Sequence, residues 1–318
     1  MTWKLLIVLS GLWLAEPSSP ATTDSVTVLS EEDQKSLAAD LKALGHSEFR
    51  VREAAAQRLA ARPVVVVAPL AALAEAGSAE ASVRAFELLR QLHRDGDDET
   101  YEAVETTYES LVQSHNILAA SRAESAIDAV SEVRHRRAVA SFRKLGGVVQ
   151  FDSEADPAAD TPLPPIKTAM INRHWIGGDD GLKYLRRIED FRSPAPFRQR
   201  SPIYVIKGAK VSAEALNELT VSFPGLVIER GPACLGVNPS DEFAQGGMLI
   251  HKVVPGSAAD QAGLQSGDII LEFDHVPIPD FKTLVATIGE HQPGDKIPVL
   301  FVRDGEKKAT TAALGEWK

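Results

Sequence analysis

The chain of 318 residues has one cysteine, Cys234, so it can form no intramolecular disulfide and no cysteine-based zinc site. It also lacks an excess of basic charge. Its 34 Lys and Arg stand against 44 Asp and Glu, and the net charge of −10 would repel phosphate backbones, which speaks against nucleic acid as a partner. Beyond Ala15 no segment approaches the run of about 18 apolar residues that a bilayer-spanning helix needs, so no integral membrane span is expected. Signatures of catalysis are missing too: there is no Gly-x-Ser-x-Gly nucleophile turn, no His-Glu-x-x-His and no Gly-rich Lys-Ser/Thr phosphate loop. His174 with Asp179 and Asp180 comes nearest to a metal constellation, but its spacing matches no common site. No catalytic residue, no metal ligand and no cofactor is therefore assigned.

What is present suits a folded chain of two or three domains, since 44% of its residues are apolar and 25% are charged. Lys4, the apolar stretch Leu5 to Ala15 and the small residues of Ser19-Pro20-Ala21 read as a signal peptide over residues 1–21, which implies a periplasmic or secreted protein. Residues 30–145 are helical in pattern. Ser30 before Glu31, Glu32 and Asp33 marks a capped start, with Leu37, Leu41 and Leu44 behind it. Gly45 stops that helix; Ser47 is expected to cap a second, facing inward with Phe49, Val51, Ala54, Ala55 and Leu59 and ended by Pro63. Further helices are expected over Pro69–Ala76, Ser82–Leu92, Glu99–Val112 and Ile117–Leu145. The stretch Leu44 to Ala55 resembles HEAT-like helical repeats, which implies a stacked interaction scaffold. In the last of the expected helices, Arg134-His135-Arg136-Arg137 reads as a solvated helix face, with a docking site as the alternative.

Composition changes at Gly146-Gly147. Val148 to Phe151 reads as a strand and residues 152–165 as an acidic, Pro- and Ala-rich loop. Short β-rich runs at Ala169–Ile176, Ile203–Ile206 and Leu226–Ile228 alternate with helical patterns around Leu182-Lys183-Tyr184-Leu185 and Leu216-Asn217-Glu218-Leu219. A strand–turn–helix period of roughly 24 residues makes residues 146–230 look like a degenerate leucine-rich α/β unit. Arg186, Arg187, Arg192, Arg198 and Arg200 belong to an expected exposed loop, or to a surface for an acidic partner.

Residues 231–318 can be read one by one. Gly247 to Val254 is a strand that Pro255 ends; Gly256 turns the chain and Ser257 caps a short helix from Ala258 to Ala262. Gly263 suits a left-handed C-terminal cap with Leu264 folding back, and Gly267-Asp268 leads into the strand Ile269 to Phe273. A second helix spans Asp280 to Glu290, with Phe281, Leu284, Val285 and Ile288 on one side. Pro293-Gly294 precedes the strand Ile297–Val302, and Asp304-Gly305 is a hairpin turn signal.

The entry Leu235-Gly236-Val237, the run Pro255-Gly256-Ser257-x-Ala-x-x-Ala-Gly-Leu-x-x-Gly-Asp-x-Ile and the later Pro-Gly are similar to the PDZ domains of HtrA-type bacterial proteases. The expected architecture is thus multidomain: a helical repeat region, a small α/β unit and a mostly-β PDZ domain, without a protease domain. The resemblance implies that backbone N–H groups at Leu235, Gly236 and Val237 would receive a peptide carboxylate, the peptide adding as a strand from Val237. Its last side chain would enter a pocket lined by Leu235, Val237, Leu284 and Ile288, although the two helix residues read equally well as plain core. Two residues depart from the family. Cys234 stands where an aromatic is common, and reads as structural because no histidine is placed to activate it. His275 stands where glycine is usual in a tight turn. The function expected is an exported, non-enzymatic adaptor for peptide C-termini or extended segments; the alternative is an accessory subunit delivering substrates to an envelope serine protease.

Overall fold

A computed structural model describes residues 30–153, 162–192, 201–240 and 246–317. The expected signal peptide, most of the 152–165 loop and Arg198 and Arg200 fall outside the described residues, as does the side chain of Arg192. The chain divides into two compact units, Met1–Ala126 and Ile127–Lys318.

The first unit is helical: α1 (Glu31–Ala43), α2 (Phe49–Ala60), α3 (Pro63–Ala76), α4 (Ala79–Asp95), α5 (Asp98–Val112) and most of α6 (Ile117–Asp128). Helix α1 starts as the sequence indicates, with Ser30 Oγ accepting from the Asp33 N–H at 3.1 Å. Helix α2 does not. Its N-cap is Glu48, one residue past the expected Ser47, and its side chain makes no capping bond; the Glu48 N–H donates to His46 Nδ1 at 3.1 Å. Phe49, expected inside, is 63% exposed at the first turn, and Ala55 and Leu59 carry the buried face. Pro63 opens α3 instead of ending α2, because a first helical residue has no N–H bond to lose; Pro69, the expected start, lies inside that helix. Helix α4 likewise starts early, capped by Ser78, while Ser82 Oγ donates to the Ala74 carbonyl at 2.7 Å and ties α4 to α3.

In the second unit the single helix expected to run to Leu145 is broken near Val130, where the backbone leaves helical geometry (φ −125°), and α7 (Ser131–Lys144) follows. The basic cluster on α7 is not a solvated face. Arg134 and His135 are buried, and His135 Nδ1 accepts from the Glu189 N–H at 3.1 Å. Then come β1 (Val148–Phe151), β2 (Ile166–Ile171), α8 (Lys183–Arg187), α9 (Glu189–Arg192), β3 (Ile203–Ile206), α10 (Ala213–Ser222) and β4 (Val227–Arg230). They form a sheet ordered β1-β2-β3-β4, in which β1 is antiparallel to β2 while β2, β3 and β4 run parallel. Strand β2 ends earlier than the expected Ala169–Ile176, because Trp175 folds back under the sheet, wholly buried, with Nε1 donating to the Gly178 carbonyl at 2.9 Å. Arg186 and Arg187 are helical instead of lying in an open loop. Arg186 reaches Glu218 at 3.4 Å, and the buried Arg187 lies 5.5 Å from the Tyr184 ring.

The remainder of this unit is β5 (Ala233–Cys234), β6 (Val237–Pro239), β7 (Met248–Val253), α11 (Ala258–Gln261), β8 (Ile269–Phe273), β9 (Val276–Pro277), α12 (Phe281–Gly289), β10 (Lys296–Arg303), β11 (Glu306–Ala313) and β12 (Gly315–Glu316). The main sheet is ordered β11-β10-β8-β7-β6, with β9 beside β8 and a small β5–β12 pair alongside. Strand β6 is therefore terminal among the described residues. Val299 and Phe301 alternate inward on β10, and a bulge in β8 lets both Ile270 and Phe273 face the same way, so that together they close on Leu284 and Ile288 of α12 to form one apolar core.

Candidate functional site

The small-residue run builds a rigid corner. Gly256 has φ +73°, and its N–H donates to Asp260 Oδ2 at 2.7 Å, while Ser257 Oγ accepts from the Asp260 N–H at 3.3 Å. Ser257 thus caps an orphan donor at the start of α11, and the Asp260 carboxylate reaches back to the Gly256 N–H just before the cap. The helix ends in a Schellman pattern: the Leu264 N–H reaches the Ala259 carbonyl at 2.9 Å, the Gly263 N–H reaches Asp260 at 3.0 Å, and Gly263 has φ +77°. One partner was not legible in the run itself. Asp268, 1% exposed, receives Arg303 Nε at 2.7 Å and Nη2 at 2.6 Å as well as the Gln265 N–H at 2.8 Å. This bidentate pair raises the Arg303 pKa further, chiefly through the hydrogen bond to Asp268.

The corner holds the loop Leu235-Gly236-Val237. The Leu235 carbonyl accepts from the Ala259 N–H at 2.8 Å, and the Gly236 carbonyl accepts from the Val254 N–H at 2.9 Å and from Ser257 Oγ at 3.4 Å. In a planar trans peptide the N–H points opposite to the carbonyl. With both carbonyls tied to the corner, the N–H groups of Gly236 and Val237 are turned away from it. Gly236 has φ +83°, and a Cβ there would lie 2.2 Å from Ser257 Cβ, so glycine is demanded by both conformation and close approach.

Leu235, Val237, Leu284 and Ile288 all meet in the one apolar cluster, with exposures of 2%, 9%, 0% and 8%. Leu284 has no surface to offer, whereas Phe281 and Val285 on the same helix are half-buried. Cys234 is also half-buried; burial pushes its thiol pKa up, and the Gly236 N–H directed at it offsets this only in part. The group is therefore a neutral thiol near pH 7, a poor nucleophile. The turn Asp274-His275 keeps the left-handed backbone, with φ +51° and +61°, despite lacking glycine. His174 and Asp179 do not converge: His174 lies 3.6 Å from Glu316, and Asp179 accepts from the Ser212 N–H at 2.8 Å. Among the described residues no group of three or more His, Cys, Asp and Glu side chains is placed to hold a metal ion. Likewise, no helix among them is long and apolar enough to cross a membrane.

Strand β4 and α12 border a cavity of about 560 Å³, which Val205, Lys207, Leu216, Arg230, Val285 and Gly289 help to line. Nearby, Trp317 stacks on Tyr204 with ring centroids 6.0 Å apart and donates from Nε1 to the Gly231 carbonyl at 2.9 Å, while Arg173 pairs with Glu316 at 2.5 Å. The end of the chain thus straps the last domain to the α/β sheet, a role that sequence reading missed.

Residues 233–314 match the PDZ domain family. A probable periplasmic serine endoprotease, DegP-like, from Marinomonas sp. is 38% identical over 68 residues, 21% of this chain and 14% of the relative. The 26S proteasome non-ATPase regulatory subunit 9 of Rattus norvegicus is 28% identical over 168 residues, 52% of this chain and 68% of the relative. A crystal structure of the serine endoprotease from Yersinia pestis, 29% identical, covers 35% of this chain and 38% of its own with a TM-score of 0.25. The chain thus spans about a seventh of the length of the DegP-like relative. The likeness to the proteases is confined to the last domain, with no protease domain evident. Residues 233–314 are a PDZ domain similar to those of the HtrA and DegP proteases.

Proposed function

We propose that this protein is an exported, non-enzymatic adaptor that captures peptide C-termini at its PDZ domain. The observation that carries this reading is the pairing of loop and edge. The carbonyls of Leu235 and Gly236 are committed to the corner, the Val237 N–H turns away from it, the Gly236 N–H lies toward the Cys234 sulfur, a weak acceptor that a carboxylate would displace, and β6 is the last strand of its sheet among the described residues. A carboxylate would be held by N–H groups at Leu235, Gly236 and Val237, and the peptide would continue as an added strand along β6. Its last side chain would lie against Leu235, Val237 and Ile288, with Leu284 beneath them. Two or three charge-assisted hydrogen bonds of about 1.5–3 kcal/mol each, offset by ordering a flexible peptide, suggest a Kd on the order of micromolar.

In this reading residues 1–21 direct export, residues 30–145 form a HEAT-like scaffold, residues 146–230 a degenerate leucine-rich-like unit, and residues 231–318 the ligand-binding domain. A second reading, an accessory subunit that delivers substrates to an envelope serine protease, draws on the DegP-like relatives and on the proteasome regulatory subunit. Pull-down from envelope fractions separates the two, since only an accessory subunit recovers a protease reproducibly. Incubation with casein and generic esters is expected to give no turnover; turnover surviving deletion of residues 231–318 contradicts both readings.

A further inference from the structure

The hydrogen-bonding direction along β6 follows from its register. Val237 stands opposite Val253, and the Val254 N–H bonds to the Gly236 carbonyl. In an antiparallel ladder this makes Val237 and Val253 a non-hydrogen-bonded pair, so the N–H and carbonyl of Val237 face the open edge. After the bulge between Asn238 and Pro239, Pro239 stands opposite Ile250 and the Ser240 N–H bonds to the Leu249 carbonyl. Pro239 is therefore the next residue to face the edge, and it has no N–H.

We infer that Pro239 truncates the edge, so that the ligand is a free C-terminus read mainly over its last two residues and not an extended internal segment. The inference rests on the peptide-binding reading above. A peptide running antiparallel to β6 places its final residue opposite Val237, where both backbone bonds form. Its antepenultimate residue lies opposite Pro239, where its N–H finds a carbonyl but its own carbonyl finds no donor. Beyond that point the ladder has lost one of its two bonds per pair. The affinity of an internal segment depends on such a ladder, whereas a C-terminus keeps its carboxylate contacts. Proline at this place also blunts an edge that could otherwise template pairing with a second chain.

The test uses the full chain and a fluorescent library of decapeptides with free carboxyl termini, randomised at the last four positions, from which the tightest sequence is remade in three forms. These are the amide-linked peptide, a twin with an ester between the antepenultimate and penultimate residues, and a twin with an amidated C-terminus. Wild type is expected to bind the amide-linked and ester-linked peptides within about twofold. Pro239→Ala restores an N–H, and one neutral hydrogen bond corresponds to a gain of about 2- to 10-fold for the amide-linked peptide. In the variant the ester twin should lose that gain. An ester penalty already present in wild type, or no tightening in Pro239→Ala, overturns the role of Pro239 while leaving C-terminal capture intact. Equal binding of the amidated twin, or no saturable binding by any peptide, overturns the reading beneath it.

Discussion

Gly236→Ala probes how the loop is held on its corner. The alanine would need φ near +83° and would set its Cβ 2.2 Å from Ser257 Cβ. A left-handed alanine costs about 1–2 kcal/mol, and overpacking costs about 1–3 kcal/mol. The sum is near 3 kcal/mol, allowing for some movement of Ser257. In a compact unit the size of Ile127–Lys318, within the range of about 150–250 residues, that lowers Tm by about 6–12 °C. Ser257→Gly removes the clashing atom, and glycine at a cap position costs only a few tenths of a kcal/mol. The double variant then retains the backbone cost and loses the clash, so the two changes couple by about 1–2 kcal/mol in the favourable direction. Urea unfolding of wild type, both single variants and the double variant, followed by circular dichroism, gives the cycle. Additivity within about 0.5 kcal/mol would show that the loop does not rest on Ser257.

Other expectations follow from particular contacts. Leu284→Ala should destabilise the domain by about 2–5 kcal/mol, seen as a lower urea midpoint, because the side chain is fully buried in the core. Asp268→Asn should also lower the midpoint, since it replaces the carboxylate that Arg303 grips at both oxygens. With its pKa raised by burial, the Cys234 thiol favours the folded state less as it ionises. Stability should therefore be full below the ordinary thiol value of 9.0, fall as pH rises from there through the folded-state value, and fall less in Cys234→Ala. The same burial should make Cys234 alkylate more slowly at neutral pH in the folded chain than in urea, as mass spectrometry can follow.

The positions of Gly256, Ser257, Gly263 and Gly267 were legible because each answers a local backbone demand, a positive φ or an orphan donor, that few residues meet. Helix starts were less so. At α2 the N-cap falls on Glu48 without a capping side chain, one residue past Ser47, and Pro63 can either end one helix or begin the next. Burial of Arg134 and His135 depends on packing against a segment more than fifty residues away, at Glu189, and the Asp268–Arg303 pair spans two strands. Neither leaves a periodic trace in the sequence. At the candidate site the loop residues were readable through resemblance, but the meaning of Pro239 was not. A proline matters there only once the register shows that its missing N–H faces the edge.

The central claim is that a free carboxylate is recognised at Leu235, Gly236 and Val237. The most direct measurement titrates the full chain with the selected decapeptide and with its C-terminally amidated twin. The account predicts saturable binding near the micromolar range for the free acid and at least about tenfold weaker binding for the amide, as expected when a charge-assisted hydrogen bond is lost. Equal affinity for the two, or no saturation with either, would contradict it.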